Sequence, residues 1–397
     1  MSYKRTAVFA AGLVAAPAFA ADITIYGTVN VDVESVEATG AANPGQDFKS
    51  RSRVTSNSSN IGFRGTEELG AGLKAFFQVE SQVNVDDGTS SGFWASRNSG
   101  VGLLGNWGQF ILGQWDSPYK VATVRIDPTG DVGIGGYSGI IGSSGATTAG
   151  QGGSNFAQRA SFERRISNVV QYWTPTWGGV SARFAYGATD SSLGSASTGV
   201  AESTGLKPQL FAGNVAYENG PFYATLAYEQ HNDFQSLNTL LGAAPSKGKD
   251  QGWKAGVAYR FLESFTVGAV FEHLEYKADN INGLGELKRK VDNWYVSARY
   301  ETGPHNFALA YGHKGNDKLS GAGLSELPDS QAYQITARYA YSFSKRTQLY
   351  ALATRITNES NAMQNFGNSP ITPTTLFRDP ARGADPTGYG VGMIHTF

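Results

Sequence analysis

The sequence predicts an all-β fold, a transmembrane antiparallel β-barrel, and two observations carry that prediction. The chain has 50 Gly, 19 Tyr and 22 Phe against three Met in 397 residues, a composition typical of strands joined by many turns. Segments of about ten residues also alternate apolar and polar side chains, as strands do when they separate lipid from an aqueous lumen.

The alternation is clear in the segments 253–261, 294–300 and 333–343. One face of each segment is apolar or aromatic and suits lipid, and the other face carries charge. Alternation alone does not say which face points inward, but a barrel of many strands is too wide to be filled by side chains and leaves a channel. We therefore expect the charged face to line water. Its basic residues include Lys254, Arg260, Arg299 and Arg338.

Candidate strands number 16, and the connections between them alternate between short and long. That asymmetry is typical of bacterial outer-membrane barrels, which have short periplasmic turns and long external loops. The short connections include 70–72, 106–108, 176–179, 219–220, 302–304 and 342–345. The long ones include 36–49, 190–207, 233–249, 277–290, 317–330 and 359–386.

The longest connection, 116–164, is rich in Gly and Ser and separates the strands 109–115 and 165–173. A loop of this length in a compact domain is usually functional. Within a barrel domain over 21–397, we expect it to fold inward and constrict the lumen.

The first 20 residues read as a secretory signal peptide, with Lys4 and Arg5 before an apolar run and a small-residue ending. We expect cleavage after Ala20. The alternative, a membrane-anchoring helix, needs about 20 apolar residues, and the run from Ala7 to Ala16 is shorter.

Charge and cysteine content exclude several functions. Without the two basic residues of the leader, 30 Lys and Arg face 33 Asp and Glu, a net charge of −3, which does not suggest binding to nucleic acid. No cysteine is present, so disulfides and thiolate chemistry are excluded. The five His have no metal-ligand spacing, and we expect no catalytic residue, no metal and no cofactor.

Several motifs stand out along the sequence. They are the run 59–81 (SNIGFRGTEELGAGLKAFFQVES), Ile25 to Gly27, 101–103 followed by 107–113, 167–172 before Thr174 and Pro175, and the ending 392–397 with its final Phe. Together these motifs resemble the general porins of the β-proteobacterial and neisserial type. The resemblance spans 21–397. It implies a 16-stranded barrel, a homotrimer, and a third external loop folded into the lumen.

The resemblance also implies where the pore is narrowest. Arg97 and Arg165 match positions on the barrel wall at the constriction. If Gly102 faces outward, alternation turns Arg97 inward, and Arg165 falls on the face opposite Ile166. Further basic candidates on inward faces are Arg64, Lys74 and Arg183. All of these could instead be ordinary solvated residues of the lumen.

Acids should oppose these bases across the pore, because opposed charges create a transverse field that orients dipolar solutes. Glu80 lies on the inward face of its strand, and the candidate acids of the long loop are Asp116, Asp127 and Asp131. Two departures from the family pattern, Asn60 and Gln114, replace an expected Arg and reduce the expected positive charge.

Outward positions of the early strands suggest a contact between subunits. Asn57 and Ser59 share the expected outward face of the second strand with Ile61, and Asn98 and Gly100 lie on the expected outward face of the fourth strand. Polar and very small side chains are poor lipid contacts but allow close packing between protein walls. The alternative is a bulge that reverses the alternation near these residues.

The sequence therefore predicts an outer-membrane pore of a Gram-negative bacterium for passive diffusion of small hydrophilic solutes, with modest anion preference. Expected partners are two further copies, membrane lipid and lipopolysaccharide, and assembly machinery that recognises the last strand through Phe397. The alternatives are a channel specific for saccharides, which needs an aromatic track, a channel specific for organic anions, and an outer-membrane hydrolase, which needs a Ser-His pair.

Overall fold

A computed structural model describes residues 22–90, 94–142, 162–188, 205–241, 243–324, 326–371 and 380–397. The expected leader lies outside these ranges, as does the part of the long loop from 143 to 161. In the described residues, no helix is long and apolar enough to cross a membrane.

Nineteen strands of the described chain form one antiparallel sheet that closes on itself. They are β1 (Asp22–Thr39), β2 (Phe48–Ser56), β3 (Asn60–Gly70), β4 (Leu73–Asn84), β5 (Thr89–Ser90), β6 (Ser99–Gly105), β7 (Gly108–Asp116), β8 (Arg165–Trp173), β9 (Val180–Ala188), β10 (Gln209–Asn219), β11 (Phe222–Asn232), β12 (Gly248–Phe261), β13 (Phe265–Ala278), β14 (Leu287–Thr302), β15 (His305–Lys314), β16 (Lys318–Gly321), β17 (Ala332–Ser342), β18 (Thr347–Asn358) and β19 (Asp385–Thr396).

These nineteen strands make sixteen crossings of the barrel wall. β2 and β3 pair with successive halves of β1 and form one crossing. β15 and β16 likewise pair with successive parts of β14. The two-residue β5 pairs only with the end of β4. The pairing of β1 with β19 closes the barrel, and the predicted sixteen-stranded architecture is confirmed.

The apolar face of the strands points outward, as the size argument predicts. Leu226 is 68% exposed and Trp253 is 57% exposed, whereas Lys254 beside Trp253 is 2% exposed and points into the barrel. The outward face is the one that suits lipid.

The long connection between β7 and β8 contains the helix α1 (Pro118–Thr123) and three short 3-10 turns, at Val124–Ile126, Gly133–Gly135 and Tyr137–Gly139. A second short helix, α2 (Ser236–Leu240), lies in the connection after β11. A further 3-10 turn, Pro44–Gln46, follows β1.

The described part of the β7–β8 connection, here called the inserted loop, packs against the inner side of the wall. α1 contacts β9 to β12, the following turn contacts β12 and β13, and the turn at Gly133–Gly135 contacts β18. Its buried residues Ile126, Ile134 and Ile140 join an apolar cluster with Val270 and Ile356 of the wall. The loop is therefore held by burial of apolar surface, and it narrows the lumen from one side.

Candidate functional site

The inserted loop begins with a tight turn that the sequence specifies locally. Ser117 caps α1, because its hydroxyl accepts a hydrogen bond from the Tyr119 amide at 3.0 Å, and Pro118 has the fixed φ that suits a first helical position. The Ser117 amide donates to the Arg164 carbonyl at 3.1 Å. The two ends of the loop are thus joined at its neck.

Polar anchors fix the loop to the wall where the apolar contacts end. Tyr119 donates its hydroxyl proton to Glu272 at 2.7 Å, and the Gly142 amide donates to the other oxygen of the same carboxylate at 2.7 Å. Glu163 accepts a hydrogen bond from Lys254. Because these groups are buried, each needs its partner, and together they fix the position of the loop.

Asp127 organises the tip of the loop and does not face the channel. It is 3% exposed and accepts hydrogen bonds from the amides of Thr129, Asp131 and Tyr137, each at 2.9 Å. Tyr295 of β14 donates to it at 3.1 Å. Burial raises the pKa of Asp127 to about 6. The prediction that this acid forms a charged pore wall is corrected, since its oxygens are used within the loop.

Asp131 is also buried within the inserted loop and bonded to a loop amide. It is 7% exposed and accepts from the Ser138 amide at 3.0 Å, and burial raises its pKa. Aspartate often bonds to nearby amides in loops, which explains why two acids that were predicted to oppose the bases across the pore are structural.

Arg97 and Arg165 lie in a mixed charge cluster on the wall that faces the lumen. The Arg97 Nε is 2.5 Å from a Glu80 oxygen, and an Arg165 terminal nitrogen is 3.3 Å from Asp116. Lys120 of α1 is 3.4 Å from the same Asp116 carboxylate. The wall and the inserted loop therefore meet through these charges, and all five side chains are partly exposed.

Arg64 extends this cluster. Its guanidinium lies 5.0 Å from the centre of the Tyr26 ring, and Tyr26 donates to Glu80 at 3.0 Å. In this charge cluster four basic groups face two acids, an excess of two positive charges. The basic groups are Arg64, Arg97, Lys120 and Arg165, and the acids are Glu80 and Asp116.

Lys74 and Arg183 lie away from the cluster. Lys74 pairs with Glu68 beside the short turn between β3 and β4. Arg183 lies 4.4 Å from the Trp173 ring on the inner wall of β9. The structure thus brings Arg64, Glu80, Arg97 and Arg165 together and separates the other two.

Asn57 and Ser59 do not point outward, and that prediction is wrong. Asn57 contacts Gly133 of the inserted loop and lies 3.4 Å from the Tyr350 hydroxyl. Ser59 is fully buried and bonds to the backbone of Asn30 at 2.9 and 3.0 Å. The cause is the break between β2 and β3, where Ser58 has a φ of 58°. This segment therefore fits the alternative prediction, a bulge that reverses the alternation.

Gly100 and Asn98 also face differently from the prediction. A Cβ on Gly100 would lie 3.4 Å from Ile111, which belongs to the inner cluster, whereas Val101 is 54% exposed. Asn98 bridges charges, because it donates to Asp116 and accepts from Arg165, both at 2.9 Å. Arg97 precedes the start of β6, so it reaches Glu80 without following the alternation of that strand.

The residues near Arg165 show a second irregularity. The pairing of β7 with β8 shifts register between Gly113 and Trp115, and Asn168 has a φ of 51°. Ile166 is consequently fully buried among the inner apolar residues, and the expected contrast between Ile166 and Arg165 does not hold.

The two departures from the family pattern are used locally. Asn60 donates to the Ser58 carbonyl at 3.1 Å. Gln114 donates to the Ala95 carbonyl at 3.2 Å and accepts from Ser167 at 2.9 Å. Both amides hold irregular backbone together where a charge was expected.

Comparison with known proteins identifies the family. The family model described as Gram-negative porin matches residues 6–361. The chain is a member of the Gram-negative porin family. It is 28% identical to outer membrane porin protein 32 of Delftia acidovorans over 376 residues, 94% of each chain. It is 25% identical to an outer membrane porin protein of Bordetella pertussis, over 98% of each chain.

The fold comparison agrees. The solved structure of an anion-selective porin from Comamonas acidovorans matches with a TM-score of 0.71 and 26% identity, over 95% of this chain and all of that one. This porin is accordingly a channel of the outer membrane, and membership of the family implies a channel rather than an enzyme.

Sequence reasoning missed most of the residues that anchor the inserted loop in this porin. Ser117 donates to Glu229 of β11, and His231 lies 2.7 Å from the same carboxylate. Glu163 and Glu272 were not singled out either. The available signal was the presence of acids at inward positions of strands, but their partners are distant in sequence and only the fold brings them together.

Four inward aromatic residues of the described wall are covered and form no open track. Phe76, Trp115, Tyr223 and Tyr295 are each less than 10% exposed, and the Tyr223 hydroxyl donates to the Ala122 carbonyl of the loop at 2.7 Å. These rings support the loop and the wall.

Proposed function

We propose that this porin allows small hydrophilic solutes and ions to diffuse passively across the outer membrane, with a modest preference for anions. The observation that carries the preference is the charge of the inner wall. Among the described residues, Arg64, Arg183, Arg260 and Arg338 form no ion pair with an acid. Basic groups that line a pore favour anions.

The charge cluster beside the inserted loop supports the same preference. Arg97, Arg165 and Lys120 are balanced only in part by Glu80 and Asp116, so a permeating anion meets net positive charge at the narrowed part of the lumen. The solved porin of Comamonas acidovorans is described as anion-selective, which supports the proposal by similarity. The roles of Arg97, Arg165, Arg64 and Glu80 at a constriction are part of this proposal.

General diffusion is favoured over a channel specific for saccharides. A saccharide track needs exposed aromatic rings along the lumen, and the inward rings Trp115 and Tyr223 are buried. The Tyr26 hydroxyl donates a hydrogen bond to Glu80, and the Arg64 guanidinium lies over the Tyr26 ring. The observed wall is basic rather than aromatic.

We also propose that three copies associate through the wall around β1 and β2. Elsewhere outward aromatic pairs mark the membrane interface, such as Tyr228 with Trp253 at 4.3 Å and Trp294 with Tyr311 at 5.4 Å. In the described structure β1 and β2 have no outward ring. Their outward positions hold Ile25, Val33, Val54, Ser35 and Ser50.

Further partners belong to the proposal. The leader 1–20 would direct export and be removed, lipopolysaccharide would contact the outer part of the barrel, and assembly machinery would handle β19. The last strand supports this, because its outward residues Tyr389, Val391 and Met393 and the following Phe397 are all exposed.

Conductance in a planar bilayer tests the function. We expect stepwise currents in KCl. Under a salt gradient, we expect the reversal potential to be displaced from zero towards the equilibrium potential of chloride. An absence of steps would refute the channel. A reversal potential that shows preference for potassium would refute the anion preference while leaving the channel intact.

A further inference from the structure

Three arginines form one row across the inner wall on the short-turn side of the inserted loop. Thr266 pairs with Arg260 on one side and with Arg299 on the other, and Ala308 pairs with both Arg299 and Arg338. The three are called the arginine arc. Neighbouring strands are about 4.8 Å apart, so consecutive arginines start roughly 10 Å apart with a small residue between them.

The arginine arc faces the lumen just beyond the loop. Ser297, two residues before Arg299, donates to the Ile126 carbonyl of the loop at 2.6 Å. Thr336, two residues before Arg338, is 3.4 Å from the Gly135 carbonyl. On β12, a Cβ at Gly256 would meet Thr123 and Ile126. Since alternate residues share a face, all three arginines point inward, on the short-turn side of these contacts.

Acids neutralise the arginine arc only weakly. Glu301 lies 3.9 Å from the Arg299 Nε and also accepts from Asn306 at 3.0 Å. Asp127 is close enough to Arg338 for an electrostatic interaction, but it is buried in the loop and accepts hydrogen bonds from loop amides. Arg338 donates to Gln348 at 2.6 Å and lies 5.1 Å from the Tyr350 ring.

Two polar atoms, one in the arginine arc and one between two of its arginines, have no hydrogen-bond partner. Within the described part of the chain, the Arg299 Nε and the Thr266 hydroxyl oxygen are buried without a hydrogen bond. Thr266 stands between Arg260 and Arg299, so a donor hydroxyl is placed between two guanidinium groups. Positive charge with free donors is the arrangement that binds oxyanions.

We propose that the arginine arc is a binding site for the oxyanion group of a solute, a phosphate or a carboxylate, after that solute has passed the inserted loop. The proposal rests on the proposed function, since it names the class of solute the channel holds. The guanidinium fork matches both groups, and long side chains starting roughly 10 Å apart can converge on one anion. Partial exposure of Arg299 keeps binding weak enough for release, as conduction requires.

The arginine arc is separate from the charge cluster around Arg97. The arc lies on β12, β14 and β17, whereas Arg97 and Arg165 precede β6 and begin β8. The two groups would act in sequence along the path of a solute. Mutations in one should leave the other intact.

Block of the chloride current by an oxyanion tests the site. Inorganic phosphate and, in a second arm, succinate are added at constant ionic strength to single channels in KCl. For wild type we expect saturable reduction of the current by one or both probes, and the arm with the stronger block identifies the anion source. In R299S/R338S we expect at least tenfold weaker apparent affinity, with R299K/R338K between the two.

Arg51→Ser is the matched control, because Arg51 is exposed near the long loops and lies 5.0 Å from the Phe48 ring, away from the arc. It should behave as wild type. Equal block of wild type and R299S/R338S, or no block of wild type by either anion, would overturn the site while channels still form. Failure of wild type to form channels would instead refute the proposed function. Heat-modifiable migration on gels verifies that each variant is folded.

Discussion

Phe397 and Gly27 exchange two backbone hydrogen bonds, 3.1 Å from the Phe397 nitrogen to the Gly27 oxygen and 3.2 Å in the opposite sense. The Phe397 ring also covers Gly27, because a Cβ at residue 27 would lie 2.5 Å from that ring and 2.6 Å from the Asn60 carbonyl oxygen. Phe397 therefore extends the pairing between β19 and β1 that closes the barrel.

Deletion of Phe397 should impair barrel closure and insertion. It removes two backbone hydrogen bonds, together worth roughly 2 kcal/mol, and an aromatic ring that is 46% exposed at the barrel surface. The amount of heat-modifiable protein in the outer membrane measures the effect. F343A, which removes another exposed ring, is the control and should insert normally; equal amounts of both variants would contradict the role of Phe397.

The sequence predicted the regular parts of this fold and failed where the backbone is irregular. Alternation correctly turned Lys254, Arg299 and Arg338 inward, because side chains must alternate in a regular strand. It failed at Asn57, where the break at Ser58 reverses the face. No residue type in that segment requires such a break.

The candidate site was predicted less completely than the fold. Arg97 and Glu80 were both proposed and form an ion pair. The roles of Asp127 and Glu163 depend on contacts with Tyr295 and Lys254, which lie more than 90 positions further along the chain. Such contacts follow from how the loop packs, and local patterns do not contain that information.

Replacement of Val54 by Arg should disrupt association of the three copies. Val54 is 53% exposed on β2, within the wall that has no outward ring. The bulky charge would separate packed walls while a single barrel stays folded. Trimer bands on unheated gels measure this result. L226R, at a position 68% exposed on β11, is the control; among inserted protein it should remain trimeric, and trimer loss in both variants alike would remove β2 from the interface.

Asp127→Ala should loosen the tip of the inserted loop. Three amides would lose their acceptor, and each buried donor left without a partner costs roughly 1–3 kcal/mol. We expect larger current fluctuations and higher mean conductance in single channels. Asp47→Ala, which removes the acceptor of one amide in the first long connection, should leave both unchanged. Current fluctuations in the Asp127 variant equal to those of the wild type would contradict the role of Asp127.

Loop docking should weaken as pH rises, because burial raises the pKa of Glu163 to about 8 from its ordinary value of 4.5. Glu163 holds its proton more tightly when docked, so its contribution to docking is complete below pH 4.5 and is lost as pH rises through about 8. Protease cleavage of the loop, followed from pH 5 to pH 9, should accelerate several-fold in wild type. In E163Q that acceleration should be much smaller, and parallel pH profiles would refute the assignment.

Replacement of both Arg97 and Arg165 by Ser should shift selectivity toward cations. The charge cluster has four basic groups and two acids, and the double variant leaves Arg64 and Lys120 against Glu80 and Asp116. The local excess of two positive charges becomes zero, and two long side chains no longer occupy the lumen. We expect the reversal potential in a KCl gradient to move toward potassium preference and the single-channel conductance to rise. K74S, which removes a base paired with Glu68 beside a short turn, should change neither quantity.

Because Arg260, Arg299 and Arg338 remain in the double variant, part of the anion preference should persist. An unchanged reversal potential would show that ions do not pass close to Arg97 and Arg165.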